Sequence, residues 1–135
     1  MIQRIQSIYL LLAGLLFGAT VLFRNVLAQD TNTWILPAVI GLNIAVGLGA
    51  LVSIGFYGDR KKQFKFASLL QYMAIVALLA VFGALYFTGA LQEIMGNIEV
   101  MAMLGMPVVG YVMIRLASMR VKKDIELVRS MDRLR

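Results

Sequence analysis

Four stretches of the 135-residue chain are apolar on every side. They are IYLLLAGLLFGATVLF at 8–23, WILPAVIGLNIAVGLGALVSIGFY at 34–57, FASLLQYMAIVALLAVFGALYFTGAL at 66–91 and VMAMLGMPVVGYVMIRLASM at 100–119. A helix on the surface of a soluble protein keeps a polar face opposite its apolar stripe. These blocks keep none, and each is close to the ~20 helical residues that cross a hydrocarbon core. The pattern therefore predicts an all-α membrane protein with four spans, at about 5–23, 34–57, 66–91 and 99–119. Each span must satisfy its backbone internally, because lipid offers no hydrogen-bond partner. The intervening stretches RNVLAQDTNT, GDRKKQFK and QEIMGNIE are too short for a domain, and short links join antiparallel neighbours. Residues 1–119 thus read as an up-down four-helix bundle, and 120–135, RVKKDIELVRSMDRLR, as a basic amphipathic tail.

The opening residues admit a second reading, as a leader cleaved after Val26-Leu27-Ala28, where small side chains occupy the expected positions. Arg24 interrupts the approach to that point and the apolar run is long for a leader, which favours a retained first span.

Charge then orients the bundle. The chain has 13 Lys and Arg, and all but Arg24 fall on one side. That side takes Arg4, the middle link with Arg60, Lys61, Lys62 and Lys65, and Arg115, Arg120, Lys122, Lys123, Arg129, Arg133 and Arg135 of the last span and tail. Such a bias predicts both termini and the middle link in the cytoplasm. It also accounts for the pI near 10.0 without nucleic acid, which no basic face interleaved with aromatics supports. Trp34, Phe23, Tyr86 and Phe87 at the outer boundaries, with Tyr9, Tyr57, Phe64, Phe66 and Tyr72 at the inner ones, fit aromatic belts. The hydrophobic share of 61% and mean hydropathy of +0.84 agree. Cys and His are both absent, which excludes disulfides, thiolate and imidazole catalysis, and metal sites built on them.

The two ends, MIQRIQSIYLLLAG and VKKDIELVRSMDRLR, resemble an uncharacterised bacterial family of small four-span inner-membrane proteins, a domain of unknown function. Ile125 stands where that family often has an acid after Lys-Lys-Asp. The resemblance implies a four-helix protein of the bacterial inner membrane and supplies no activity, substrate or site.

Small residues are the first candidates. In lipid, helices associate largely by close backbone approach. Gly14 and Gly18 in the first span, Gly41, Ala45, Gly49 and Ser53 in the second, and Ala80, Ala84 and Thr88 in the third stand four residues apart. They are expected to pack within the bundle or, alternatively, between copies in a homo-oligomer. Polar groups inside spans usually mark transport paths. Here they are Asn43, about 13 Å from Trp34 along the helix, and Gln71 and Arg115, both within roughly 8 Å of the inner boundary. Asn43 is expected to bond between helices. Arg115 is expected to snorkel to the headgroups, or else to bond Gln71. Without a carboxylate or imidazole inside a span, proton-coupled transport is disfavoured. Pro107 is expected to weaken or kink the fourth helix. Met95, Met101, Met103 and Met106 offer thioethers that soft copper accepts, although Met is more commonly a filler.

In the tail, Val121, Ile125 and Val128 share a side continued by Leu127, Met131 and Leu134, and Lys122, Lys123, Arg129 and Arg133 oppose them. A basic amphipathic helix beside a span is expected in the headgroup layer, on anionic lipid. The competing use is docking of a protein partner through residues 120–135. The sequence thus predicts a non-enzymatic membrane subunit, with no implied cofactor, whose basic face of Arg60, Lys61, Lys62, Lys65, Lys122, Lys123, Arg129 and Arg133 meets lipid or a partner. A passive channel or small-solute transporter lined near Asn43 and the second-span glycines is the alternative.

Overall fold

The computed structural model describes residues 2–28 and 34–132. Four helices form, α1 (Ile2–Ala19), α2 (Ile35–Gly55), α3 (Arg60–Phe87) and α4 (Ile98–Asp132), and no strand occurs among the described residues. Each packs against its two neighbours in a closed ring, α1 on α2 and α4, α3 on α2 and α4.

Two layers of core show the directions. One holds Ala13 and Phe17 of α1, Val46 and Ala50 of α2, Leu70, Ala74 and Ala77 of α3, and Ile114 of α4. The other holds Val26 and Leu27, Val39, Val81, Ala84 and Leu85, and Val100 and Met103. From the first layer to the second, numbers rise along α1 and α3 and fall along α2 and α4. The bundle is therefore up-down, with the α2–α3 turn and the start of α1 at one end, called the inner end below. Core positions are mostly alanine and valine, which lets the backbones approach.

Outside this core the surface is apolar. Ile8, Leu11 and Leu15 of α1, Leu48 and Val52 of α2, Val76, Leu79 and Phe82 of α3, and Val108 and Val112 of α4 all point outward. Only about a third of each span's apolar window is buried within the chain. In water that surface would be prohibitive; against acyl chains it is the expected finish.

Local chemistry sets the ends. Past Ala19 the first span tightens into a 3-10 turn, Thr20–Val26, where Thr20 Oγ1 donates to the Phe17 carbonyl at 2.6 Å. Asp59 caps α3, its Oδ1 accepting from the Lys62 N–H at 3.1 Å. That bond, joined by the Lys62 ammonium 3.3 Å away, holds the Asp59 carboxyl below its ordinary pKa. At the other end of α3, Gly89 adopts φ 74°, a left-handed stop that a side chain would strain. Asn97 Oδ1 accepts from the Glu99 N–H at 3.0 Å as α4 begins.

Two expectations about boundaries need correcting. The middle link GDRKKQFK is mostly helix, since α3 starts at Arg60 rather than near Phe66. The tail is not a separate element, because α4 runs unbroken from Ile98 through Met119 to Asp132. Pro107 lies inside α4, whose residues stay helical on both sides. The first span, moreover, is integral to the core: Leu10, Ala13 and Phe17 are wholly buried.

Candidate functional site

Of the small-residue candidates, the structure uses only some to join helices. A Cβ on Gly14 would lie 2.9 Å from the Leu51 side chain and 3.1 Å from the Gly47 carbonyl oxygen. A Cβ on Gly47 would lie 3.0 Å from the Gly14 carbonyl oxygen. This reciprocal contact brings the backbones of α1 and α2 together. Gly49 receives Leu70 of α3, whose Cδ2 would stand 2.6 Å from an added Cβ. Ser53 and Ala84 are buried, and Ala80 is half-buried against the outer core layer. Gly18, Gly41 and Ala45 are exposed, and added Cβ atoms on the two glycines would meet open space. The ridge Gly41–Ala45–Gly49–Ser53 is thus not a single packing face within the chain: the inward face of α2 is Val39, Asn43, Val46, Gly47, Ala50 and Ser53. Gly110 of α4 stands outside the small-residue spacings singled out in the sequence, yet an added Cβ there would stand 2.7 Å from the Phe17 ring.

Asn43 is fully buried, and its Nδ2 donates to the Val39 carbonyl one turn back at 2.8 Å. Its bond is within α2 rather than between helices, and its Oδ1 has no partner. Residues on both sides of it along that face, Val39 and Val46, are also buried. Arg115 is exposed and points its Nη1 to the Tyr111 hydroxyl at a long 3.5 Å, not to Gln71, which is half-buried. The methionines do not converge: Met103 is buried in the core, while Met95 and Met101 face outward.

At the inner end the charged residues are organised. Arg60 Nε lies 2.9 Å from Asp124 Oδ2, joining the start of α3 to the extension of α4; the contact is an ion pair without an aligned hydrogen bond. The Asp124 side chain is only 14% exposed and Arg60 36%, so the pair is partly shielded from solvent. Val121, one turn before Asp124, is buried at 1% exposure. Around this clamp Lys61, Lys62, Lys65, Arg120, Lys122, Lys123 and Arg129 are exposed. Arg133 lies outside the described residues.

Beneath the clamp, each helix contributes one buried polar residue: Gln6 from α1, Ser53 from α2, Gln63 from α3 and Ser118 from α4. Gln63 Nε2 donates to the Ser53 carbonyl at 3.3 Å, a carbonyl in the last turn of α2 that also accepts from the Phe56 N–H. Only Ser53 stood out in the sequence. The available signal was a stripe of Gln63, Ala67, Leu70, Ala74, Ala77, Val81 and Ala84, spaced three or four apart along α3.

Four helices long and apolar enough to cross a membrane, with apolar side chains outward and small ones inward, define a multi-pass membrane protein of helical-bundle class. Within that class, residues 22–134 match the family described as Domain of unknown function (DUF4293), and the chain belongs to it. The match takes in nearly all of the C-terminal stretch that carried the resemblance and begins after the N-terminal one. No curated protein and no solved structure matches the chain.

Proposed function

We propose that this is a non-enzymatic accessory subunit of the bacterial inner membrane, with both termini cytoplasmic, whose inner face binds anionic lipid. The observation that carries this reading is the pair of helices prolonged past the apolar blocks and clamped by Arg60–Asp124. Measured from Phe66 and Met119 at 1.5 Å per residue, Lys61, Lys62, Lys65, Lys122 and Lys123 sit within about 8 Å of the hydrocarbon edge. That is inside a Debye length of the headgroup charge, where each cation contributes about 1 kcal/mol of attraction. The side with Arg24 as its sole cation is disfavoured for the cytoplasm by the same asymmetry.

The test is native mass spectrometry from mild detergent, with phosphatidylglycerol and phosphatidylcholine in equal supply. The intact chain is expected to retain phosphatidylglycerol preferentially, and a variant with Lys61, Lys62, Lys122 and Lys123 all changed to Glu to lose that preference. Equal retention by both chains would overturn the reading.

A second reading, docking of a protein, rests on Leu127 and Met131, which are 53% and 62% exposed. In a straight α4 they lie roughly 12 and 18 Å past Met119, beyond the headgroup layer. Comparing proteins co-purified with the intact chain and with one stopped after Asp124 tests this; a stoichiometric partner specific to the intact chain supports it. Stopping after Met119 would confound the experiment, because it also removes Val121 and Asp124 from the bundle.

A further inference from the structure

Arg115 is the only charged side chain in the four apolar blocks 8–23, 34–57, 66–91 and 100–119. It stands four residues before Met119, about 6 Å inside the inner hydrocarbon edge at the helical rise. It is exposed, and it shares its side of α4 with Val108, Val112 and Met119, which are exposed as well. Helical side chains lean toward the N-terminus of their helix, and α4 begins at the outer end. Arg115 therefore leans toward the membrane centre, and its Nη1 stands 3.5 Å from the hydroxyl of Tyr111, one turn deeper.

A guanidinium stays charged, so at this depth it needs a counter-charge. Its own chain has none to offer. No Asp or Glu occurs in any of the four blocks, and Asp124, the next acid along α4, is engaged by Arg60. A second copy of the chain fails for the same reason, since it brings no acid to that depth. We propose that the Arg115 face of α4 docks a different membrane protein, through a helix that carries an Asp or Glu one turn inside the same boundary. The planar guanidinium suits a carboxylate in a bidentate pair, and the Tyr111 hydroxyl is a further donor beside it. Val108, Val112 and Met119 supply the apolar contact around that pair. A lipid phosphate is the competing counter-charge, but it lies in the headgroup layer, against the lean of the side chain. This docking goes beyond the lipid affinity of the basic inner face and is tested apart from it, because Lys61, Lys62, Lys122 and Lys123 take no part.

A photo-crosslinking benzoylphenylalanine in place of Val112, in native membranes, reads the occupant of this face. Expected is a light-dependent adduct with one integral membrane protein that bears an acid within a span. Adding Arg115→Gln should weaken that adduct about tenfold or more, as removal of one member of a desolvated charge pair does. Exchanging the two charges, Arg115→Glu against an arginine at the partner's acid, should restore it. Arg115 makes only the long contact to Tyr111 within the bundle, so the unfolding midpoint of purified Arg115→Gln in detergent should not move. Adducts with lipid alone, or with a second copy, would overturn the proposal. So would a protein adduct indifferent to Arg115→Gln, a partner without an acid at that depth, or a failed exchange. A lowered midpoint in Arg115→Gln would also overturn it, by assigning the arginine to its own bundle.

Discussion

At Gly14 and Gly47 each residue's carbonyl oxygen lies 3.0–3.1 Å from where the other's Cβ would be, so neither position tolerates even a methyl without a backbone shift. We expect Gly14→Ala and Gly47→Ala each to destabilise the bundle by about 1–3 kcal/mol, the usual range for overpacking. Gly41→Ala, with open space around it, should stay within about 0.5 kcal/mol. Denaturant titration in detergent micelles measures all three, and equal losses at Gly41 and Gly47 would refute the assigned face. The choice of face was not legible in the sequence. Glycines occur all round α2 and every side of it is apolar, so composition marks a helix without saying which side turns inward. Asp59 makes a different kind of prediction. Its carboxyl titrates below its unfolded value because the Lys62 N–H bonds the charged form. The cap's contribution is therefore complete above the unfolded pKa and fades as pH falls through the depressed folded one. The Lys62 amide chemical shift, followed against pH, should report that low midpoint; in Asp59→Asn, which keeps a cap acceptor without the charge, the titration should vanish.

The helices themselves were largely readable, because four uninterrupted apolar blocks leave little choice of element. Their inner ends were not. Hydropathy stops at the first cation, but a helix does not, and Arg60–Lys65 and Arg120–Asp132 extend α3 and α4 as ordinary helix outside the apolar window. What joins these extensions is a contact between residues 64 positions apart, Arg60 and Asp124, which no local pattern encodes. Arg120 stands four residues before Asp124 and would offer it a local partner, but that spacing is one any helix supplies. If the long-range pair is the one that matters, Arg60→Ala should free the start of α3 and leave Asp124 shielded without its cation. A loss of about 1–3 kcal/mol is expected, and Asp124→Ala in the Arg60→Ala background should cost little more. Arg120→Ala, by contrast, should change stability by no more than about 0.5 kcal/mol, as exposed pairs do. A double-mutant cycle on detergent-solubilised protein decides between the two partners for Asp124; additive losses for Arg60 and Asp124 would count against the clamp.

For the whole molecule, the up-down order and the charge asymmetry combine into a topology that one set of labels can test. The chain has no cysteine, so each introduced thiol is the sole reporter. Lys61 and Ser130 are exposed at the inner end on different helices, and Glu93 is exposed at the outer end between α3 and α4. Lys61→Cys and Ser130→Cys should react with a membrane-impermeant maleimide only in inverted vesicles, and Glu93→Cys only in intact spheroplasts. Labelling of Lys61→Cys and Ser130→Cys from opposite sides would break the four-span bundle itself, whereas all three reversing together would break only the orientation. Asn43→Cys adds the interior. Asn43 sits in a closed face of α2 between buried Val39 and Val46, so its thiol should stay unlabelled in both preparations until detergent is added. Reaction from either side would restore the aqueous path through the second span that a channel requires, and would place its lining on the face of α2 that here meets only protein.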